Sequence, residues 1–114
     1  MTRDIETTLY NMFQEVPHSI DYWVKSIDGD WHGSGDVTYY NIIVDKSDMN
    51  KSEDFVKYKI SDFDFYTAFD KLLKLDEKSD WHNRILSDVY KDEYDIQTVD
   101  MLFQYALFSD LIYC

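Results

Sequence analysis

Val99-Asp100-Met101-Leu102-Phe103-Gln104-Tyr105-Ala106-Leu107-Phe108-Ser109-Asp110-Leu111-Ile112-Tyr113 is the stretch whose reading decides the fold. It is the longest nearly charge-free run in a chain that is 30% charged, broken only by Asp100 and Asp110. A segment apolar on all sides belongs in an interior rather than on a surface. It is also too short for a membrane span, which needs about 20 apolar residues. This run is therefore expected to be the central core helix, capped by Thr98.

Outward from that helix, the preceding segments carry shorter apolar stripes. Residues 79–90 place Trp81, Ile85, Leu86 and Val89 at helical spacing behind a capping Ser79 or Asp80. Ser61 with Asp64 three residues on forms a loose capping box opening a helix to Leu75, with Phe65, Ala68, Phe69, Leu72 and Leu73 on its buried side. Two stretches alternate with period two. Val37 to Asp45 is apolar on both faces, as a central strand is, and Phe55 to Ile60 turns Val56, Tyr58 and Ile60 inward. Residues 4–16 read as a first helix through Ile5, Leu9, Met12, Phe13 and Val16, stopped by Pro17. Ile20 to Asp28 reads as extended, with a helical turn over Ser19–Trp23 as the competing possibility. Asp28 to Asp36 holds all three glycines and reads as a loop. The sum is one domain over residues 1–114, α+β, with a small antiparallel sheet of about three strands packed with about four helices.

The net charge of −12 comes from 11 Lys and Arg against 23 Asp and Glu, spread evenly as 11 acids before residue 58 and 12 after it. Such a charge repels nucleic acid and anionic membranes and suits a basic protein surface. No signal peptide opens the chain, and the only cysteine is the terminal Cys114, so a reducing, cytoplasmic setting is expected. Mimicry of a duplex by the whole molecule is excluded by dilution. Roughly 6,600 Å² of surface gives about one net charge per 550 Å². Duplex DNA has one per ~1.7 Å of axis, on the order of one per 100 Å². Only a clustered face could imitate it, such as Asp21, Asp28, Asp30 and Asp36 beside Asp88, Asp92, Glu93 and Asp95.

A resemblance rests on two places. Ser19-Ile20-Asp21-Tyr22-Trp23 after a first helix, and Asp100 opening the run through Phe103-Gln104-Tyr105-Ala106-Leu107-Phe108, resemble a group of small, mostly uncharacterised accessory proteins of tailed bacteriophages. The group pairs an early Tyr-Trp with a late Asp…Gln-Tyr-Ala-Leu-Phe…Tyr ending, and the similarity spans most of the chain. It departs at Ser109, where the group commonly has glycine. The resemblance implies a phage accessory role and supplies no catalytic residues.

Motifs of chemistry are weak by comparison. Asp28, Asp30, His32, Gly33 and Asp36 fall at the ligand spacing of a calcium loop, but the twelfth position, which needs a bidentate glutamate, is Tyr39. Asp-Trp-His occurs at residues 30–32 and again at 80–82, which could build a transition-metal site if the two segments met. No phosphate-cradling or nucleophile-elbow motif is present. The expectation is no metal, no cofactor and no catalysis.

The aromatic load points elsewhere: ten Tyr, seven Phe and three Trp make 18% of the chain. Tyr22, Trp23, Trp31, Tyr39, Tyr66, Tyr90 and Tyr94 have no core place in the periodic pattern. Tyr and Trp exposed among acids are the composition of a recognition surface. A second small core under the sheet would absorb about half of them. The expected binding residues are Tyr22, Trp23, Asp28, Asp30, Trp31, Asp36, Asp92, Glu93 and Tyr94. The expected partner is a host protein with a basic surface, which the protein inhibits or modulates. A second possibility is a pocket that sequesters a nucleotide signal, which requires two or more of Arg3, Lys25, Lys57, Lys59 and Arg84 to converge. A third, enzymatic possibility requires His32 and His82 to meet in one cleft.

Overall fold

A computed structural model describes residues 3–31, 37–45 and 55–112, and the side chains of these except at 3, 4, 30, 31, 45 and 55. The chain runs α1 (Arg3–Gln14), α2 (Val16–Ser19), β1 (Ser26–Trp31), β2 (Val37–Asp45), β3 (Phe55–Ser61), α3 (Asp62–Leu73), α4 (Asp80–Tyr90) and α5 (Ile96–Phe108). The fold is α+β, with an antiparallel sheet ordered β1-β2-β3 and the helices packed on one of its faces. The described residues measure 45 × 40 × 20 Å, the thickness of one sheet and one helical layer.

Helix α5 is the core element that its composition predicts. Val99, Leu102, Phe103 and Gln104 are wholly buried. Its boundaries differ from the expected ones at both ends. Asp95, not Thr98, is the N-cap, and Thr98 is the third residue of a reciprocal capping box. At the far end Ser109 takes a left-handed φ of 58° and donates its N–H to Tyr105 O, so the helix closes there and 109–112 run on without helix.

The inner face of the sheet follows the period-two reading. Tyr40, Ile42 and Val44 of β2 and Ile60 of β3 are buried, while Lys57 and Lys59 point out. Tyr40 packs on Phe13 (ring centroids 4.8 Å) and reaches past it to donate its hydroxyl to Phe13 O at 2.7 Å. Burial pushes its phenol far above the ordinary value, so it stays a donor. Gly29 lies opposite Tyr40, and a Cβ there would stand 3.2 Å from the ring, so a bare backbone is what lets the tyrosine through.

Three local expectations are corrected. Pro17 does not end the first helix. The chain turns at Glu15, and Pro17 occupies the first turn of α2, where a missing N–H costs nothing. Residues 20–23 form a turn, the competing possibility, and the strand begins only at Ser26. Asp28 to Trp31, expected in a loop, are paired with β2, Asp28 facing Asn41 and Trp31 facing Val37. Helices α3 and α4 begin at the predicted caps, and the α3 capping box has both bonds, Ser61 Oγ from Asp64 N–H and Asp64 Oδ2 from Ser61 N–H.

Candidate functional site

Two segments far apart in sequence meet at one buried carboxylate. Asp100 is 7% exposed, on the side of α5 that faces the turn after α2. Trp23 Nε1 donates to its Oδ1 at 2.7 Å, Gln104 Nε2 donates to the same oxygen at 3.0 Å, and the Tyr22 hydroxyl donates to Oδ2. Gln104 in turn accepts the Ile112 N–H on its Oε1 at 2.9 Å. Four of the residues that carry the phage-protein resemblance, Tyr22, Trp23, Asp100 and Gln104, are therefore one hydrogen-bonded cluster. Its physical sense is plain. A carboxylate in an apolar interior is tolerable only when donors saturate it.

That cluster corrects the reading of Trp23. It was expected on a recognition surface and is 8% exposed, its ring stacked among Phe103 (6.4 Å) and Phe108 (5.9 Å). The aromatic surplus goes largely the same way: Tyr39, Tyr66 and Tyr94 are half-buried. Tyr22 and Tyr90 remain more than half exposed, with Phe63, Ile96 and Ile112.

Tyr22 thus has two sides. Its hydroxyl is tied to Asp100, and its ring lines an open cleft of about 400 Å³ with His18, Asp21, Arg84, Ile96, Met101 and Leu111. Asp21 is exposed at that rim. Arg84 is drawn to the far side by two carboxylates, Asp95 at 3.2 Å and Asp88 at 3.6 Å. Partial burial works to raise the Asp95 carboxyl, but the Thr98 N–H and hydroxyl, Arg84 and the Gln97 N–H together outweigh it and leave it below the usual value.

Beyond Asp95 the turn 91–95 continues the acidic face. Asp92 adopts a left-handed φ of 53° and accepts from the buried Thr8 hydroxyl at 3.1 Å, which ties the turn to α1. Glu93 is exposed. Tyr94 is bonded to Glu15. Burial first, then the Glu15 charge and hydrogen bond, then Asp92, push its phenol up to about 12. Asp21 and Tyr22 line the cleft at the start of α5, while Asp92, Glu93 and Tyr94 lie in the turn that precedes the helix, Asp92 in a separate hollow with Ile5, Thr8 and Tyr90.

The other predicted residues do not join them. Asp28 lies on the outer face of the sheet, in a hollow with Asn41, Lys57 and Lys59. Asp30 and Trp31 lie on β1, which belongs to the same sheet. Asp36 and His32 lie outside the described residues, as does Cys114. Strand pairing places 28–31 on the sheet rather than in the cleft at the start of α5.

Residues 28–31 and 37–39 stand in neighbouring strands, and His32, Gly33 and Asp36, which hold three of the calcium-loop positions, lie outside the described residues. At the second Asp-Trp-His, His82 Nδ1 accepts the Ser79 N–H at 2.9 Å, and the Ser79 hydroxyl lies 2.8 Å from the same nitrogen. The imidazole is the N3 arm of the capping box whose N-cap is Ser79, packed on Trp81 and Tyr105. Burial, opposed by Asp110 and assisted by Lys78, holds its pKa below the ordinary value. Among the described residues no group of three or more His, Cys, Asp or Glu is placed to hold a metal ion. No helix among them is long and apolar enough to cross a membrane.

No family model matches this chain, and neither a curated protein nor a solved structure is significantly similar to it.

The Asp100 cluster was missed as a site by sequence reasoning. The signal was present: a lone aspartate inside an otherwise apolar helix has to find donors. Tyr-Trp beside a helix end is the pair of side chains able to supply them with apolar bodies.

Proposed function

We propose that this protein is an acidic binding module. It docks the face around the N-terminal end of α5 on a basic surface of a host protein, of the nucleic-acid-handling or defence class, and inhibits or modulates it. The observation that carries the reading is the cleft at the start of α5, where exposed Asp21, Tyr22 and Ile96 lie together just beyond the acidic turn that ends at Asp95. Acids steer a basic partner from a distance, and exposed aromatic and apolar side chains give the complex its lifetime. The charge of −12 and the resemblance to phage accessory proteins support the same reading.

A second reading has one observation in its favour. Lys57 and Lys59 share the outer-sheet hollow with Asn41, so two cations do converge, as a nucleotide-sequestering site requires. Against it, Asp28 lines the same hollow and would face any phosphate, and Lys59 Nζ already lies 4.0 Å over the Tyr39 ring.

The discriminating experiment is capture from host lysate with mass spectrometry across a salt series, with the purified protein assayed for bound nucleotide. The docking reading expects a protein partner whose association slows steeply with ionic strength. Capture of no protein at low salt, with a nucleotide copurifying, contradicts it.

A further inference from the structure

We infer that the cleft beside Tyr22 is a pocket for a single arginine side chain presented by the partner. The inference rests on the docking reading and names what enters the site. Its lining divides by chemistry in the way a guanidinium on an aliphatic stem does. Ile96, Met101 and Leu111 offer apolar surface, the exposed ring of Tyr22 offers an aromatic face, and Asp21 and Asp100 contribute carboxylates.

The electrostatics favour a cation over any other occupant. Asp100 accepts three hydrogen bonds, all from neutral donors, and among the described residues no cation lies within pairing distance of it. Two of those donors share Oδ1, while Oδ2 takes only the Tyr22 hydroxyl. A carboxylate oxygen accepts about two hydrogen bonds, so Oδ2 has acceptor capacity beyond the Tyr22 hydroxyl. Asp21 is exposed at the rim with no bonding partner among the described residues. Arg84, the cation already in the lining, is held by Asp88 and Asp95 instead. His18, the remaining basic group of the cleft, is exposed.

Arginine fits better than lysine for two reasons. Its planar, weakly hydrated guanidinium stacks on an aromatic ring, and its fork of donors can serve two carboxylates at once. A lysine ammonium is a compact, strongly hydrated point charge that gains less from the Tyr22 face. A cleft of about 400 Å³ with an open mouth has room for one such side chain.

The test is an NMR titration with Nα-acetyl-arginine amide, its neutral isostere Nα-acetyl-citrulline amide, and an oligolysine peptide. The arginine probe should shift amides confined to residues 18–22 and 96–101 and the Tyr22 ring, while the citrulline probe shifts none. Asp21→Asn, at an exposed position without bonds to lose, should weaken the arginine probe roughly two- to fivefold. Equal shifts from citrulline, or shifts spread over acids on every face, overturn the pocket. If oligolysine binds at low salt while the cleft stays unmoved by arginine, the pocket fails and the docking reading stands. If oligolysine does not bind at all, the docking reading itself fails.

Discussion

The outer face of the sheet and the helix-end face are both charged, yet they are organised in opposite ways. On the sheet, Asp28, Asn41 and Lys59 stand in one cross-strand row and Ser26, Ile43 and Lys57 in the next. On the helix ends, Asp21, Asp92, Glu93 and Asp95 accumulate, with Arg84 drawn in to Asp88 and Asp95. The difference has a physical origin. Residues directly opposite in a sheet sit close enough that like charges destabilise the pairing, so signs alternate or are diluted. Turns and helix N-termini instead favour acids for local reasons, since a carboxylate caps free N–H groups and complements the helix dipole. Among the described acids, Asp62, Asp64, Asp80 and Asp95 stand at the cap or in the first turn of a helix.

The strongest way to break the comparison is to cut the helix-end face from the core beneath it. Asp100→Ala removes the acceptor that the buried Trp23 and Gln104 N–H groups share, an expected loss of about 3 kcal/mol at about 1–3 per buried group that loses its bond. Urea unfolding should show it, with Asp100→Asn losing less. Asp95→Ala removes the cap of α5 and one partner of Arg84, and should cost about 1 kcal/mol in the same assay. Ser109→Gly should act in the other direction. Serine sits there in the left-handed region that glycine occupies without a Cβ clash, so the substitution should stabilise by about 0.5–1 kcal/mol. An unchanged midpoint would mean that the helix end is not closed as described.

Acid should loosen the helix ends before the sheet. The His82 pKa is lowered in the fold from 6.5, so the unfolded chain binds the proton first and the fold loses stability as pH falls from 6.5 through the lowered value. Asp95, lowered from 3.8, adds a second loss that begins only near that pH. His82→Gln should flatten the first step of a stability-versus-pH curve and leave the second. The smallest effect on stability belongs to surface charge. Asp21→Lys with Glu93→Lys, both exposed, should leave the unfolding free energy within about 0.5 kcal/mol of the parent's. The same pair should slow partner association, and Lys57→Glu with Lys59→Glu should not.

How much of this was legible in the sequence depends on the length scale of the cause. The central strand Val37–Asp45 and the caps at Ser61 and Ser79 follow from local pattern and are where the pattern puts them, and the core helix follows from it in kind though not in its two ends. Asp28 to Trp31 were misread because glycine and aspartate are loop residues by propensity. Gly29 is there for a tertiary reason, the passage of Tyr40. Trp23 was misread for the same kind of reason. Nothing within ten residues of it discloses Asp100, its partner 77 positions away. The turn residues Asp92, Glu93 and Tyr94 adjoin α5 in the chain itself, whereas the placing of Tyr22 at the start of α5 arises only when the turn after α2 packs on that helix.

The central claim is that partner binding uses the helix-end face and not the sheet. Hydrogen-exchange footprinting of the complex with a captured host protein tests it most directly. The account predicts new protection over residues 18–23 and 91–101, with β1 and β3 exchanging as in the free protein. Protection of Ser26–Trp31 and Phe55–Ser61, with the helix-end segments unchanged, would contradict it.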